Sequence, residues 1–325
     1  MLVAPDSFKG TLSAVTVAQR IGRGLEQGGW PVDLCPLADG GEGTLEVLLD
    51  ALEAELITAS VSDPVGRPVE ARFGLGSDAR GERVGVVEMA AASGLALLAP
   101  GELDPIGAST AGTGELILAA RDAGAKTIYV GVGGSATTDG GSGAIDVIRR
   151  GGGLRGARLV VLSDVRTPFE RAASVYGPQK GASERDVARL TRRLHALARR
   201  FRRDPRGVPM TGAAGGLSGG LWAEFGAELL AGAAFVLDVV GFDRRMRFAR
   251  AVVTGEGCLD TQSLAGKLVS EVAVRARQTG VPCHAIVGRR ELDSFGARIL
   301  DLQAIIEAST VRQLTAAGRR LARLI

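Results

Sequence analysis

Short apolar runs alternate with amphipathic stretches over the first sixty residues of the chain. From Ser13 to Gln27 apolar residues recur every three or four positions, which predicts a helix, and Ser13 is a typical residue for capping its start. The predicted elements are a strand, a helix, a strand and a helix, at residues 2–4, 13–27, 32–37 and 44–52. This order is typical of a parallel α/β sheet, in which ligands bind in the loops that follow the carboxyl ends of the strands.

The pattern changes near residue 56 and returns near residue 251. Short strands, some of them antiparallel, are predicted at residues 56–61, 69–75, 84–89, 127–132 and 159–162, with a helix at 113–123. The α/β alternation resumes with strands at residues 251–253 and 285–287. We therefore predict one α/β domain made of residues 1–60 and 241–325, and an inserted mixed α/β domain of residues 61–240. The active site is expected in the cleft between these two domains.

The composition excludes several classes of function. Aromatic residues make up 4% of the chain, too few for platforms that stack single-stranded nucleic acid. The formal net charge is +3, and much of the positive charge lies between Arg185 and Arg206, where the apolar spacing predicts an amphipathic helix that includes Phe201. A basic outer face of this kind is more typical of a solvated helix than of a binding surface. We therefore expect neither nucleic acid nor a membrane as a partner.

The numbers and spacing of the histidines and cysteines also exclude several kinds of site. The chain has two histidines, so neither a Ser-His-Asp triad nor a multi-histidine metal site is expected. Its three cysteines form no Cys-x-x-Cys pair, which argues against a zinc site or a disulfide framework. The sequence begins without a basic segment followed by an apolar run, and it has no long apolar span, so we expect a cytoplasmic protein. A homodimer is the default expectation for such an enzyme.

Glycine is the outlier of the composition. It accounts for 47 of 325 residues, about twice the typical fraction. Many of these glycines fall in five loops that also carry carboxylates, hydroxyls or a lysine, at residues 5–10, 38–43, 131–141, 212–220 and 254–260. Glycine lets backbone N–H groups approach an anion closely, and loop carboxylates can hold a metal ion or accept a proton. This combination predicts an enzyme that acts on a phosphorylated, metal-bound small molecule.

Two common phosphate-binding motifs fit the chain poorly. Gly266-Lys267 is followed by Leu268, so the chain has no Walker A loop. The segment Gly131–Ala136 follows a predicted strand and matches Gly-x-Gly-x-x-Ala, but the acidic residue expected about twenty positions later is missing. A dinucleotide-dependent oxidoreductase therefore stays only as an alternative. A phosphate-binding loop suits the same segment better, because it offers several backbone N–H groups and a serine hydroxyl.

Six motifs of the chain resemble, in order, those of the type I bacterial glycerate kinases. They cover nearly the whole chain and include Ala4-Pro-Asp-Ser-Phe-Lys-Gly10, Pro36-Leu-Ala-Asp-Gly-Gly-Glu-Gly-Thr44 and Thr254-Gly-Glu-Gly-Cys-Leu-Asp260, with the others at 133–141, 176–182 and 212–217. The resemblance implies ATP- and Mg²⁺-dependent phosphorylation of D-glycerate. Of the two products that stay open, 2-phosphoglycerate is slightly favoured over 3-phosphoglycerate. It also implies a flavodoxin-like parallel domain of three layers and an inserted second domain.

Chemistry suggests a role for each polar residue at the matched positions, because phosphoryl transfer depends on positioning and charge neutralisation. The expected catalytic residues are Asp164 as the base, with Lys9, Lys180 and Asp39. The expected substrate-binding residues are Asp6, Ser7, Ser135, Thr137 and Asp139. Nucleotide binding is expected at Gly133, Gly134, Gly215, Gly216, Glu256 and Lys267, and metal binding at Glu42, Glu256 and Asp260. The choice between base and metal ligand stays open among the carboxylates, and Asp139 equally fits a plain helix cap.

The chain also departs from the pattern of this family. Thr138 and Thr167 stand where the family often has asparagine. The helix before Gly151-Gly-Gly153 leads almost directly into the strand at 159–162, whereas the family normally has a longer polypeptide there. The shortened connection lies close in sequence to Asp164. A degraded or repurposed homologue, which binds a nucleotide or a small hydroxy acid without turnover, is therefore the alternative hypothesis.

Overall fold

The structure of the chain is a computed structural model that describes residues 1–264 and 267–325, and for residue 262 the backbone alone. The chain divides into two compact units. Unit 1 consists of Met1–Asp39, Glu46–Leu48 and Ala233–Ile325. Unit 2 consists of Gly40–Leu45 and Leu49–Gly232.

The secondary structure follows the alternation read from the sequence. The strands are β1 (Leu2–Pro5), β2 (Asp33–Leu34), β3 (Glu55–Ser62), β4 (Pro68–Ser77), β5 (Arg83–Glu88), β6 (Thr127–Gly131), β7 (Arg158–Leu162), β8 (Glu228–Leu230), β9 (Val252–Gly255), β10 (Cys258–Leu259), β11 (Cys283–Val287), β12 (Arg289–Arg290) and β13 (Leu302–Glu307). The α-helices are α1 (Ala14–Gln27), α2 (Thr44–Ala51), α3 (Ala90–Ser93), α4 (Ala111–Asp122), α5 (Ser142–Arg150), α6 (Ala172–Tyr176), α7 (Glu184–Ala198), α8 (Leu217–Phe225), α9 (Gly232–Val239), α10 (Phe242–Met246), α11 (Leu268–Thr279), α12 (Ser294–Ile299) and α13 (Val311–Leu321). Short 3₁₀ turns lie at Leu95–Leu97, Pro100–Glu102, Phe169–Arg171, Pro178–Lys180, Ala213–Gly216 and Thr261–Leu264. No helix among the described residues has both the length and the apolar character needed to cross a membrane.

Unit 1 is built on a parallel sheet with the strand order β2-β1-β9-β11-β13. Numbered by their order within this sheet, the strands run 2-1-3-4-5, which is the order of flavodoxin-like folds. Helices α1 and α13 cover one face, and α11 packs on β9 and β11. The apolar stripe of α1, formed by Val17, Ile21 and Leu25, lies in this core as its spacing predicts. The predicted flavodoxin-like α/β fold class is confirmed.

Unit 2 is built on a mixed sheet with the order β3-β4-β5-β6-β7-β8. The pairs β3–β4 and β4–β5 are antiparallel, and the pairs from β5 to β8 are parallel. Glu88, Gly131 and Leu162 are register partners at the carboxyl ends of β5, β6 and β7. The loops that follow β6 and β7 therefore start at the same edge of the sheet, which places the segments after Gly131 and Leu162 side by side.

The basic stretch from Arg185 to Arg206 differs from the prediction of one continuous helix. Helix α7 ends at Ala198, and the chain then turns. The ring of Phe201 packs edge-on against the buried ring of Phe169, with 5.9 Å between their centroids. Burial of Phe201 against this neighbouring core outweighs continuation of the helix, which a periodicity in the sequence cannot anticipate.

Candidate functional site

Three carboxylates follow neighbouring strands at one edge of the unit 1 sheet. Strands β1 and β9 pair in parallel up to Pro5 and Gly255, so Asp6 and Glu256 begin two adjacent loops. The chain after β2 stays extended and hydrogen-bonds to β1, which brings Asp39 to the same edge. The parallel α/β pattern predicts such a meeting of loops at the carboxyl ends of strands.

A cavity of about 630 Å³ lies at this edge within unit 1. It is lined by these residues predicted from the sequence: Asp6, Ser7, Lys9, Asp39, Glu256, Asp260 and Lys267. Four carboxylates and two ammonium groups therefore share one cavity. Its wall also includes Arg289 and Ser309, which no sequence motif singles out.

Lys9 and Asp39 form the closest ion pair of this cavity wall. The Lys9 ammonium donates to Asp39 Oδ2 at 2.5 Å, and the Lys9 side chain is 65% exposed. Partial loss of water around the ammonium lowers the pKa of Lys9, but the carboxylates of Asp39, Asp6 and Glu256 outweigh it, so the pKa is raised. Lys9 therefore keeps its positive charge across the physiological range.

Asp6 is the most deeply buried carboxylate of the cavity. The residue is 6% exposed, and its Oδ1 accepts a hydrogen bond from the Ser7 N–H at 2.7 Å. Burial, with the negative charges of Asp39 and Glu256, raises the pKa of Asp6 to about 7, although Lys9 and the Ser7 N–H act against the shift. A carboxylate with such a pKa accepts and releases a proton readily near neutral pH.

The carboxylate of Glu256 is fixed by a hydrogen bond. Its Oε1 accepts a hydrogen bond from the Ser263 hydroxyl at 2.6 Å. Burial raises the pKa of Glu256, and the hydrogen bond from Ser263 and the charge of Lys267 oppose that rise. Burial is thus the largest cause of the raised pKa of both Asp6 and Glu256.

A possible cluster of metal ligands borders the same cavity. Ligand atoms of Cys258, Asp260 and Glu291 lie within 4.8 Å of one another. Arg289 already contacts the Cys258 sulfur and forms an ion pair with Glu291 at 2.8 Å. The predicted metal ligand Asp260 therefore has two carboxylate neighbours, Glu256 in the lining of the cavity and Glu291 in the cluster.

Lys180 of unit 2 is buried and holds the glycine-rich loop after β6. It is 1% exposed, and its Nζ donates to Ser135 Oγ at 2.8 Å and to the Thr137 carbonyl at 2.5 Å. Burial lowers the pKa of Lys180 to about 7, and the charge of Asp139 opposes the shift. The sequence predicted that Lys180, Ser135 and Thr137 belong to one site, and the structure brings them into contact, while their roles toward a ligand stay predictions.

The lowered pKa of Lys180 makes stability depend on pH in a defined direction. Its ordinary pKa is 10.5, so between pH 7 and 10.5 the unfolded chain binds the proton more tightly than the folded chain. The contribution of Lys180 to the free energy of unfolding therefore rises with pH, by at most about 1.4 kcal/mol per pH unit. Denaturant titrations of the wild type and Lys180→Met, between about pH 7 and 9, should show the wild type gaining relative to the variant. Parallel pH profiles would contradict this assignment.

Asp139 is a structural acceptor in the same loop. It is 1% exposed, and its Oδ2 accepts from the Thr110 N–H and hydroxyl and from the Gly143 N–H, while Oδ1 accepts from the Gly141 N–H. These bonds fix the start of α5 and tie it to the start of α4, but the N-cap position of α5 belongs to Gly141 and not to Asp139. Substrate binding by Asp139 stays a prediction.

The loop with Gly215 and Gly216 packs directly on the loop that Lys180 holds. Gly215 has φ +62°, its carbonyl accepts from the Gly140 N–H at 3.0 Å, and a Cβ there would lie 2.0 Å from the Thr137 carbonyl oxygen. The close approach of two backbones explains why this position needs glycine. Nucleotide binding by Gly215 and Gly216 stays a prediction.

Replacing Gly215 by alanine should destabilise the protein through that contact. We expect a loss of about 2–4 kcal/mol in the free energy of unfolding, because the backbone strain and the clash add. Gly207→Ala is the matched control, since Gly207 has φ +72° with open space around it. The control should lose only about 1–2 kcal/mol. If urea denaturation gives equal losses in the free energy of unfolding for both variants, the packing of the two loops is not the reason for glycine at position 215.

The remaining predicted residues also lie in unit 2. Glu42 is exposed in the loop after Gly40, whose carbonyl accepts from the Val132 N–H at 3.0 Å, and this loop borders Gly133 and Gly134. Asp164 is half-buried two residues after the end of β7. The predicted site residues thus form two groups, one in each unit, and their catalytic and metal-binding roles stay predictions.

Comparison with known proteins identifies the family. The model of the glycerate kinase family matches residues 1–149 and 144–323, which is nearly the whole chain. The chain belongs to the glycerate kinase family. Family membership confirms the predicted resemblance and the prediction of a phosphotransferase enzyme.

Individual members of the glycerate kinase family are similar over most of their length. Glycerate kinase of Bacillus subtilis is 39% identical, with 90% of this chain and 86% of the relative aligned. Glycerate 2-kinase of Escherichia coli K12 is 36% identical, with 89% and 84% aligned. A crystal structure of a protein assigned as glycerate kinase 2 from Salmonella typhimurium LT2 superposes with a TM-score of 0.82 at 32% identity, and covers 99% of this chain and 97% of that chain.

The family model of the glycerate kinases matches the chain in two parts and not in one continuous stretch. Its two parts overlap at residues 144–149, so the family model is not followed continuously across the end of α5. This is the place where the sequence departs from the family pattern, before Gly151-Gly-Gly153. The break lies in unit 2, whereas the residues of the unit 1 cavity all fall inside the matched parts.

The use of lysine is a signal that motif reading overlooks. The chain has 39 lysines and arginines, and only four of them are lysines: Lys9, Lys126, Lys180 and Lys267. Three of these four are predicted site residues, in a chain that uses arginine almost everywhere else. The ammonium group of lysine is more compact than the guanidinium group of arginine, so it fits a crowded phosphate site where a guanidinium does not. Counting lysines against arginines selects four positions without any motif, and three of them are predicted site residues.

Proposed function

We propose that the chain transfers the γ-phosphate of ATP to a hydroxyl of D-glycerate, with 2-phosphoglycerate favoured over 3-phosphoglycerate as the product. The observation that carries this proposal is the unit 1 cavity, in which Lys9 and Lys267 share one wall with four carboxylates. Membership of the glycerate kinase family supports the choice of substrate, because relatives bear the names glycerate kinase and glycerate 2-kinase.

The ammonium groups of Lys9 and Lys267 neutralise the phosphate oxygens in this proposal. Phosphoryl transfer spreads negative charge over those oxygens, so fixed positive charges lower the barrier. Asp39 holds the Lys9 ammonium in place through the ion pair at 2.5 Å. The raised pKa of Lys9 keeps that charge present during turnover.

Asp6 is the residue of this cavity that we assign to the reacting hydroxyl. Its buried carboxylate accepts the hydroxyl proton as the hydroxyl oxygen forms its bond to the γ-phosphorus. The bond from that phosphorus to the β–γ bridging oxygen breaks, and ADP leaves with the electron pair. The Ser7 N–H, which donates to Asp6 Oδ1, fixes the orientation of the carboxylate. Asp164 stays the alternative base that the sequence predicts.

Mg²⁺ fits the carboxylates of the same cavity. The ion prefers carboxylate oxygens together with phosphate oxygens, and the wall of the cavity offers four carboxylates. Glu256 and Asp260 would hold the ion. When bound, Mg²⁺ supplies charge neutralisation for the phosphates.

A coupled assay of ADP release tests the proposed function against the alternative of a binder without turnover. ADP formation that requires D-glycerate supports the kinase. A thermal shift caused by ATP or D-glycerate with no ADP formation supports the binder and overturns the proposal. Product analysis by NMR then separates 2-phosphoglycerate from 3-phosphoglycerate.

A further inference from the structure

Unit 2 contains a second cavity, of about 580 Å³, whose wall is rich in arginine. The guanidinium groups belong to Arg149 at the end of α5 and to Arg202 and Arg203 after α7. The loop Gly152–Leu154 and the end of α8 complete the wall. None of these residues belongs to the predicted site or to the glycine-rich loops of the proposed function.

Glu224 is the carboxylate in the wall of this cavity, and arginine side chains already form ion pairs with it. Its side chain is 1% exposed and forms ion pairs with Arg149 and, at 3.8 Å, with Arg202. Its Oε1 also accepts from the Arg202 N–H at 3.0 Å. The wall therefore holds three guanidinium groups and one buried carboxylate, which leaves an excess of two positive charges.

Arg203 is held beside the cavity without a carboxylate partner among the described contacts. Its guanidinium lies 4.4 Å from the centroid of the Trp222 ring and donates to the Trp222 carbonyl at 2.7 Å. A ring face and one carbonyl use only part of the five N–H donors of an arginine. The remaining donors of Arg203, with those of Arg202, match the bidentate geometry of carboxylates and phosphates.

The rim of this cavity coincides with the break in the family match. Arg149 is the last residue of the first matched part, and Gly152 and Gly153 follow at once. The rim of the cavity therefore lies beside the junction of the two matched parts, and all the lining residues fall inside the second part, 144–323.

We propose that this arginine-lined cavity binds a small anion with at least two negative charges, carried by phosphate or carboxylate groups. The anion bridges Arg202 and Arg203 and supplies the negative charge that the wall lacks. Arg149 keeps Glu224 neutralised, so the buried carboxylate does not repel the ligand. Binding at this place is separate from the transfer of phosphate in the unit 1 cavity.

A charge-matched pair of double variants tests the proposal. Inorganic pyrophosphate and citrate are titrated by calorimetry at constant low ionic strength into the wild type, Arg202→Ala/Arg203→Ala and Arg199→Ala/Arg200→Ala. Arg199 and Arg200 are exposed, lie on the same segment outside the cavity, and remove the same charge. We expect the cavity variant to bind about tenfold more weakly or worse, because it loses charge-assisted hydrogen bonds, while the control binds like the wild type. Turnover of D-glycerate should be the same in all three proteins.

The two probes separate the sources of the anion. Binding of pyrophosphate alone assigns a phosphate ligand, binding of citrate alone assigns a carboxylate ligand, and binding of both assigns a general polyanion site. If neither probe binds the wild type, or if both double variants weaken binding equally, the proposal is wrong.

Fluorescence of Trp222 provides a readout that needs no arginine variant. The chain has two tryptophans, and among the contacts of the described residues it is Trp222 that meets an arginine of this cavity. An anion that draws Arg203 from the ring should change the fluorescence of the wild type and leave that of Trp222→Phe unchanged. The same change in both proteins would place the anion elsewhere and contradict the proposal.

Discussion

Lys9→Met is expected to lower kcat/KM for D-glycerate by about 10²–10³-fold, the usual cost of removing one group that stabilises charge in a transition state. Methionine keeps the length of the side chain but removes the ammonium that faces Asp39 and the unit 1 cavity. Steady-state ADP release with saturating ATP measures the effect. The free energy of unfolding should change little, because the Lys9 side chain is 65% exposed.

Lys126→Met is the matched control for that experiment. Lys126 is an exposed lysine in unit 2, so its replacement removes the same charge away from the cavity. Activity of the control should stay within about twofold of the wild type. An equal loss in both variants would mean that overall charge, and not the position of Lys9, drives the effect.

Asp6→Asn is expected to lower kcat by about 10²–10⁴-fold, the range for loss of a general base. Asparagine has the same shape but cannot accept the proton of the reacting hydroxyl. Burial and neighbouring carboxylates already disfavour the ionised form of Asp6, so the neutral amide should not lower the free energy of unfolding. A large loss of kcat without a loss of stability would therefore locate the effect in the chemical step.

Asp164→Asn separates the two candidate bases. If Asp6 accepts the proton, the Asp164 variant should keep most of its kcat. The opposite result, with Asp164→Asn nearly inactive and Asp6→Asn active, would return the role of base to the residue that the sequence predicts. Both variants are compared at the same pH with the same ADP-release assay.

The fold could be predicted well from the sequence because its signals are local. The apolar spacing and Ser13 cap of α1 mark that helix, and the strand–helix alternation leads to the parallel sheet of unit 1. The end of α7 could not be predicted, since the contact of Phe201 with Phe169 joins residues far apart in the chain. Long-range packing of this kind leaves no periodic pattern near the residue that turns.

The candidate site could be predicted in part, for a related reason. Glycine-rich loops with carboxylates and lysines are visible in the sequence, and several of them meet in the unit 1 cavity. Burial is not visible in a sequence: the motifs place Lys180 among the expected site residues but do not show that it is buried, with a pKa of about 7. In the same way, the sequence does not show that Asp139 accepts four hydrogen bonds from its own chain. Arg289 enters the cavity through β12, which carries no motif.

We propose that phosphate transfer occurs in the unit 1 cavity, and a crystal structure with a non-hydrolysable ATP analogue, Mg²⁺ and D-glycerate tests this most directly. We expect the γ-phosphate beside Lys9, a hydroxyl of D-glycerate within hydrogen-bonding distance of the Asp6 carboxylate, and the metal ion on Glu256 or Asp260. Density for both ligands away from Asp6 and Lys9 would contradict the proposed function of this cavity.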